Sequence, residues 1–403
     1  MSLCVTILAG IWVGCSPMDE YLDKYTDGKD IQYPGVVFPA YMHSGKNRVV
    51  LEGYLISDPK ISKIRIYWNS RNDSIEQNIQ RSEGIDLLNI SIPLPEGGYN
   101  FEVFTYDNEG NTSIPVILSA TSYGDSYQET LYDRLVKNLT KEGDNVSIEW
   151  YSSDPTSPFV EINYPLSDGG SRTIRVPFDS LRTVLPDYKA KSGFSMRTYY
   201  LPDETAIDTF YTDKSWKAVN EDVTQDYILN AGLPFLRGDE GTGKWGTPKD
   251  WTITPNVLNQ DKNTKGGWST NGNPQGVIHL ESRDYSGDGI TNGKVHQTLA
   301  LPAGKYIFEA ECSNSATTGS SFLNVALAVA KGNALPDLEQ METDALGYYL
   351  RKTASGKETY ALEFELTEDA TITLGCVASF GRNSYVQFSQ VRLLFVPQQL
   401  SEM

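Results

Sequence analysis

Leu94-Pro95-Glu96-Gly97-Gly98-Tyr99-Asn100-Phe101-Glu102-Val103-Phe104-Thr105-Tyr106-Asp107-Asn108-Glu109-Gly110-Asn111 is the stretch on which the fold reading turns. Its Pro-Glu-Gly-Gly group makes a turn. Tyr99, Phe101, Val103 and Thr105 then alternate on one face, the period of a strand with one buried side. The strand runs out at 107–111, where Asp, Asn and Gly tolerate left-handed backbone. Upstream, residues 49–55 (VVLEGYL) and 64–68 (IRIYW) read as strands joined through the turn Ser57-Asp58-Pro59, with Trp68 at a core position.

The pattern recurs. Residues 146–150 (VSIEW) and 160–164 (VEINY) flank a second Ser-Asp-Pro triplet, and Ser57 and Ser153 stand 96 residues apart. A fixed offset with matching flanks points to two copies of one unit, each of β-sandwich size. Trp150 takes the same core role as Trp68. Between the copies, residues 127–139 (YQETLYDRLVKNL) carry helical spacing and read as a short amphipathic helix or linker. From 223 the composition shifts to Trp, Gly, Asn and Thr. Strand patterns return at 295–299, 305–312, 322–330, 360–366, 370–377 and 385–396, which fits one further sandwich in the jelly-roll range.

Composition bounds the function. The 403 residues carry 34 Lys+Arg against 52 Asp+Glu, a net charge of −18, so clustered cations for phosphate neutralisation are lacking and a nucleic-acid partner is not expected. With 24 Tyr, 14 Phe and 7 Trp the chain has material for packed cores.

The Gly-Tyr-Asn-Phe-Glu-Val-Phe-Thr-Tyr-Asp stretch, with Gly110-Asn111-Thr112-Ser113 after it, resembles the closing strands of fibronectin type III sandwiches, which implies a hydrogen-bonded tyrosine corner at Tyr99. Residues 293–308 (GKVHQTLALPAGKYIF) and 386–393 (VQFSQVRL) resemble galactose-binding-like domains. The expected fold is therefore all-β: two fibronectin type III-like sandwiches at 36–120 and 121–222, followed by a galactose-binding-like jelly roll at 223–403.

Residues 1–15 (MSLCVTILAGIWVGC) are uncharged and too short to span a bilayer, which takes about 20 apolar residues. They read as a secretion signal. Gly14-Cys15-Ser16 resembles a bacterial lipobox, which implies a lipid on Cys15, and Asp19-Glu20 resembles the export signal of Bacteroidetes surface lipoproteins. A buried N-terminal strand with an ordinary Cys15 is the other reading of this segment. Residues 16–35 form a tether, and the whole −18 falls on the exported body. Cys312 and Cys376 lie on inward-facing alternations, either as a disulfide or as buried thiols.

Catalytic signatures are missing: the chain has no Gly-x-Ser-x-Gly, His-Glu-x-x-His or phosphate-loop motif. The carboxylate pairs Asp107/Glu109 and Glu309/Glu311 read as surface groups, so no enzyme is expected. Sugar rings stack their C–H faces on aromatics and pair their hydroxyls with amides and charged groups. The candidate contacts are Trp268, Trp245, Tyr285 and Tyr385, with Asn271, Arg382 and Asn383 as polar partners. Loops folding over their own aromatic are the bland alternative, and Trp251 reads as core. Asp284 and Asp288 are weak candidates for structural calcium, and no other cofactor is expected.

Lipobox, fibronectin-like region and C-terminal sandwich together resemble Bacteroidetes surface lipoproteins of polysaccharide-handling loci. The resemblance implies a non-catalytic binder of poly- or oligosaccharide, lipid-anchored on the outer membrane and working beside an importer complex. An adhesion or scaffold lipoprotein acting through protein contacts is the alternative. The net charge favours neutral glycans unless Lys262 and Lys265 near Trp268 form a local cationic patch.

Overall fold

The computed structural model describes residues 33–399 apart from 57, 273–274, 284, 286, 319–320 and 352–355. Cys15 and its lipidation reading, Ser57 and the calcium candidate Asp284 lie outside the described residues. The chain is all-β and clusters into two compact units. The first runs to Tyr132 and takes in Pro155–Pro158 and Tyr199–Thr212; the second holds the remainder.

In the first unit, Ala40–Lys46, Arg48–Leu55 and Asp86–Pro93 pair antiparallel. Asp73–Asn78, Ile61–Trp68, Gly97–Asp107 and Val116–Tyr123 continue the same seven-stranded sheet, Val116–Tyr123 pairing parallel with Ala40–Lys46. The alternation read in the sequence faces inward as expected: Phe101 and Val103 are buried with Val49, Leu51, Ile64 and Ile66, and Trp68 packs on Phe101. The Tyr99 hydroxyl donates to the Pro95 carbonyl at 3.0 Å, closing the tyrosine corner. Asp107 spends its carboxylate on its own turn, accepting from the Glu109 and Asn111 amides at 2.9 Å each.

The second unit opens with the same strand order. Val136–Glu142, Asn145–Trp150 and Arg182–Leu185 pair on one side. Ser171–Pro177, Phe159–Pro165, Gly193–Tyr200 and Ser215–Ala218 lie on the other. Trp150 is buried in this core, its Nε1 donating to Thr183 Oγ1 at 2.9 Å. The short helix or linker expected over 127–139 is corrected. Only Asp125–Glu129 is helical, and Val136–Glu142 is a strand because the two-residue turn Gly143-Asp144 pairs it with Asn145–Trp150.

The C-terminal sandwich has two sheets. One runs Trp245–Gly246, Gly267–Ser269, Val277–Glu281, Ser384–Val396, Gly304–Thr317, Glu358–Leu366; the other runs Thr252–Ile253, Ile290–Leu301, Ala370–Phe380, Leu323–Lys331, Gly347–Arg351. Trp251, Phe308, Leu374, Phe388 and Leu393 are among the buried side chains between them. The turn at 301–306 repeats the device at 94–99: Tyr306 Oη donates to the Pro302 carbonyl at 3.0 Å. Cys312 and Cys376 are both buried and free, which settles the open choice in favour of thiols. Glu309 pairs with Arg392 on the adjacent strand at 2.7 Å, and Glu311 is exposed.

Candidate functional site

The strand Val277–Glu281 carries Ile278 and Leu280 into the core, so its pleat turns His279 and Glu281 to the opposite face. Cross-strand register sets Gln387 beside His279 and Tyr385 beside Glu281. On the other side, Gly267 stands beside His279, and Ser269 pairs on to Trp245. One face of one sheet therefore gathers Trp245, His279, Glu281, Tyr385 and Gln387.

Four rings line up across this face. Trp245 and His279 have centroids 4.8 Å apart, His279 and Tyr385 5.7 Å, Tyr385 and Tyr285 6.3 Å. Trp245 is half-buried, and Tyr285 remains 37% exposed. Beside Trp245 opens a cleft of about 510 Å³, lined by Gly243, Lys244, Trp245, Gln260, Asp261 and Glu281. That volume lies within the range of small-molecule sites.

His279 is fully enclosed. Its Nδ1 lies 2.6 Å from Ser269 Oγ and 3.4 Å from the Gln387 amide nitrogen, and its Nε2 lies 3.0 Å from Glu281 Oε2. Burial lowers its pKa and outweighs the raising effect of Glu281. The ring is neutral at pH 7, and this network assigns Nδ1 as acceptor from Ser269 and Gln387, with the proton on Nε2 toward Glu281. Burial likewise raises the Tyr385 phenol. The face offers neutral rings and amides, with the Glu281 carboxylate at its edge.

Both walls of the cleft are held in place. On one side, the Asn259 and Gln260 amides donate to the Glu281 carbonyl, at 2.8 and 3.4 Å. This anchors a loop in which Asp261, Lys262 and Asn263 are successively left-handed (φ 46°, 60°, 64°). Such strain persists only where surroundings over-determine it, and it concentrates at functional sites. On the other side, Arg237 donates to the carbonyls of Gly243 at 2.6 Å and Trp245 at 2.7 Å. Its guanidinium lies 5.3 Å above the Trp268 ring. Burial would raise the Asp239 carboxyl, but hydrogen bonds from Arg237, Lys265 and the Thr247 amide hold it well below the usual range.

Trp268 is a correction. It sits in the strand Gly267–Ser269 rather than in a loop, 7% exposed within the core, with Nε1 donating to the Phe235 carbonyl at 2.7 Å. It packs in the core under Arg237, which in turn bonds the Trp245 carbonyl. The condition under which Lys262 and Lys265 would form a cationic patch is weakened, because Lys265 is paired with Asp239 at 2.5 Å. Asn271 contributes its backbone carbonyl, which accepts from the Gln387 amide at 2.7 Å. The Asn383 amide donates to the Tyr285 carbonyl at 2.7 Å, fixing the far end of the aromatic row. Arg382 is exposed on the adjacent turn, as is Asp288, whose carbonyl accepts from the Arg283 amide at 2.8 Å. Among the described residues no group of three metal-ligating side chains occurs. His279, Glu281, Gln260, Asp261 and Gln387 were not singled out in the sequence. The alternation Val277-Ile278-His279-Leu280-Glu281 carried the signal for the first two.

Residues 15–210 match DUF4998, a domain of unknown function, and residues 229–375 match a second domain of unknown function, DUF5013. No curated protein matches the chain. Among solved structures the chain is similar to TmCBM61 in complex with β-1,4-galactotriose: 14% identity, 36% of this chain and 86% of that one, TM-score 0.23. It is also similar to a two-domain fibronectin type III segment of chicken tenascin, at 11% identity over 47% and 96% of the two chains, TM-score 0.19. A third is chicken CNTN1 FN1-FN3, at 7% identity over 46% and 64%, TM-score 0.29.

Proposed function

We propose that the chain binds a neutral glycan, without catalysis, on the outer face of the Trp245 sheet. One observation carries this reading: a row of rings from Trp245 to Tyr285, beside a cleft with a charged or amide side chain at Lys244, Gln260, Asp261 and Glu281. Sugars present an apolar C–H face to a ring and hydroxyls to donors and acceptors around it. A neutral imidazole behind Trp245 keeps charge out of the stack, so the face is built for an uncharged ring.

The remainder of the proposal extends the sequence reading. A lipid on Cys15 tethers the protein at the outer-membrane surface, the fibronectin-like region acts as a spacer, and captured polysaccharide is passed to an importer. Affinity electrophoresis against neutral polysaccharides, β-1,4-galactan among them, tests the binding step. Retardation that disappears in Trp245→Ala supports it. Failure of every glycan to retard the protein overturns it in favour of the scaffold reading, and release of reducing ends during incubation overturns the non-catalytic part.

A further inference from the structure

A second cleft lies within the second unit and shares no lining residue with the one beside Trp245. We infer that it binds an acidic oligosaccharide, a sugar chain bearing carboxylate or sulfate groups. The cleft encloses about 790 Å³, and its walls contribute Lys189, Lys191, Lys214 and Lys305 and no carboxylate. In a chain with 52 acidic and 34 basic residues this is a local reversal of sign. A concave site of one sign focuses its field on ligands of the other, even when the net charge opposes them.

The cations are available and their backbones are held. Lys305 is paired with Glu363 at 2.7 Å, but among the described residues no carboxylate lies within ion-pair distance of the Lys189, Lys191 or Lys214 ammonium groups. The Lys189 amide donates to the Pro165 carbonyl at 3.0 Å, and Ser192 Oγ donates to the Lys189 carbonyl at 2.6 Å. Lys191 is left-handed (φ 52°), and its amide donates to Glu221 Oε2 at 2.5 Å. A non-glycine residue is uncommon there and stays only where its neighbours hold it. Glu221 thus fixes the loop from outside the cleft, and the Lys191 Nζ lies 5.7 Å from the Phe395 ring.

The lining also carries what a sugar requires. Trp216 is half-buried and lies against Gly193; a Cβ there would meet the indole at 2.2 Å, so only glycine admits the ring in this position. Asn163 and Gln398 add amides along the same wall. A small inorganic anion uses the lysines and ignores Trp216. An acidic sugar uses the ring, the amides and the ammonium groups together.

The test is calorimetric titration of the full chain with oligogalacturonate at low and at physiological salt, beside inorganic sulfate. Binding is expected to weaken as salt screens the lysines. Lys191→Ala with Lys214→Ala is expected to lose about tenfold in affinity, Lys191→Arg with Lys214→Arg to retain it, and Trp245→Ala to leave it unchanged. Circular dichroism checks the fold of each variant. No binding at low salt, indifference to the double alanine substitution, or sulfate binding as tightly as the oligosaccharide overturns the inference. Because the deciding substitutions at Lys191 and Lys214 lie outside the Trp245 cleft, failure here leaves the neutral-glycan reading to its own test.

Discussion

The Trp245 indole and the His279 imidazole lie with centroids 4.8 Å apart and planes 36° apart, and His279 is 1% exposed. The histidine acts as a buried floor for the indole, so the ligand-facing group of the pair is Trp245. Its placement rests on Arg237, which grips the Trp245 carbonyl while lying over Trp268. Arg237 thereby ties the wall at Trp245 to Trp268 in the core.

The two tryptophans should separate cleanly on mutation. Trp268→Ala empties a filled core site and removes the partner of the Phe235 carbonyl, so a loss of about 3–5 kcal/mol is expected in urea unfolding. Trp245→Ala should leave the unfolding midpoint nearly unchanged and weaken sugar binding. If both variants lose stability equally, Trp245 is a core residue and the site assignment fails.

Burial of His279 predicts a pH dependence with a definite sign. Its folded-state pKa is lowered from 6.5, chiefly by desolvation, so the unfolded chain binds more protons between the two values. Stability is then full above pH 6.5 and declines as pH falls through that window toward the folded value. His296 is lowered for the same reason and contributes in the same direction. In the pH range below 6.5, His279→Asn should flatten part of the decline in urea midpoint; an unchanged slope would show that His279 does not carry it.

The paired turns at 94–99 and 301–306 differ in surroundings. Tyr306 is buried and Tyr99 partly exposed, though each hydroxyl donates to a proline carbonyl at 3.0 Å. Tyr306→Phe removes a part-buried hydrogen bond and should cost about 1 kcal/mol, whereas the bond lost in Tyr99→Phe is exposed, water replaces the donor, and the cost should be nearer ~0.5 kcal/mol. Denaturation of the two variants checks the order.

Both body cysteines should be silent in the native state. Burial pushes the Cys376 thiol up to about 12 and also raises Cys312, and neither is bonded. Alkylation mapped by peptide mass should leave both unmodified until denaturant is added. Modification of either in the native protein would contradict its burial.

The fold was legible where alternation and turns are local. Phe101, Val103 and Trp150 were placed by period alone, and the Gly-rich turn before Tyr99 announced the corner. The short helix or linker expected at 127–139 failed because the Gly143-Asp144 turn lies outside the window whose spacing looked helical. Trp268 misled for a related reason. Its neighbours Lys265, Ser269 and Asn271 are polar, but their partners come from Asp239, His279 and Gln387, which only the folded chain brings near. Burial of such a residue is decided by tertiary partners that a local window does not contain.

The most direct measurement is the affinity of the intact chain for neutral oligosaccharides by calorimetry, with Trp245→Ala and Tyr385→Ala beside it. Ring stacking contributes about 0.5–1.5 kcal/mol beyond the area it buries, so each substitution should weaken binding by about tenfold with the unfolding midpoint of Trp245→Ala preserved. Affinity unchanged in both variants, or no binding to any neutral sugar, would contradict a glycan site on this face.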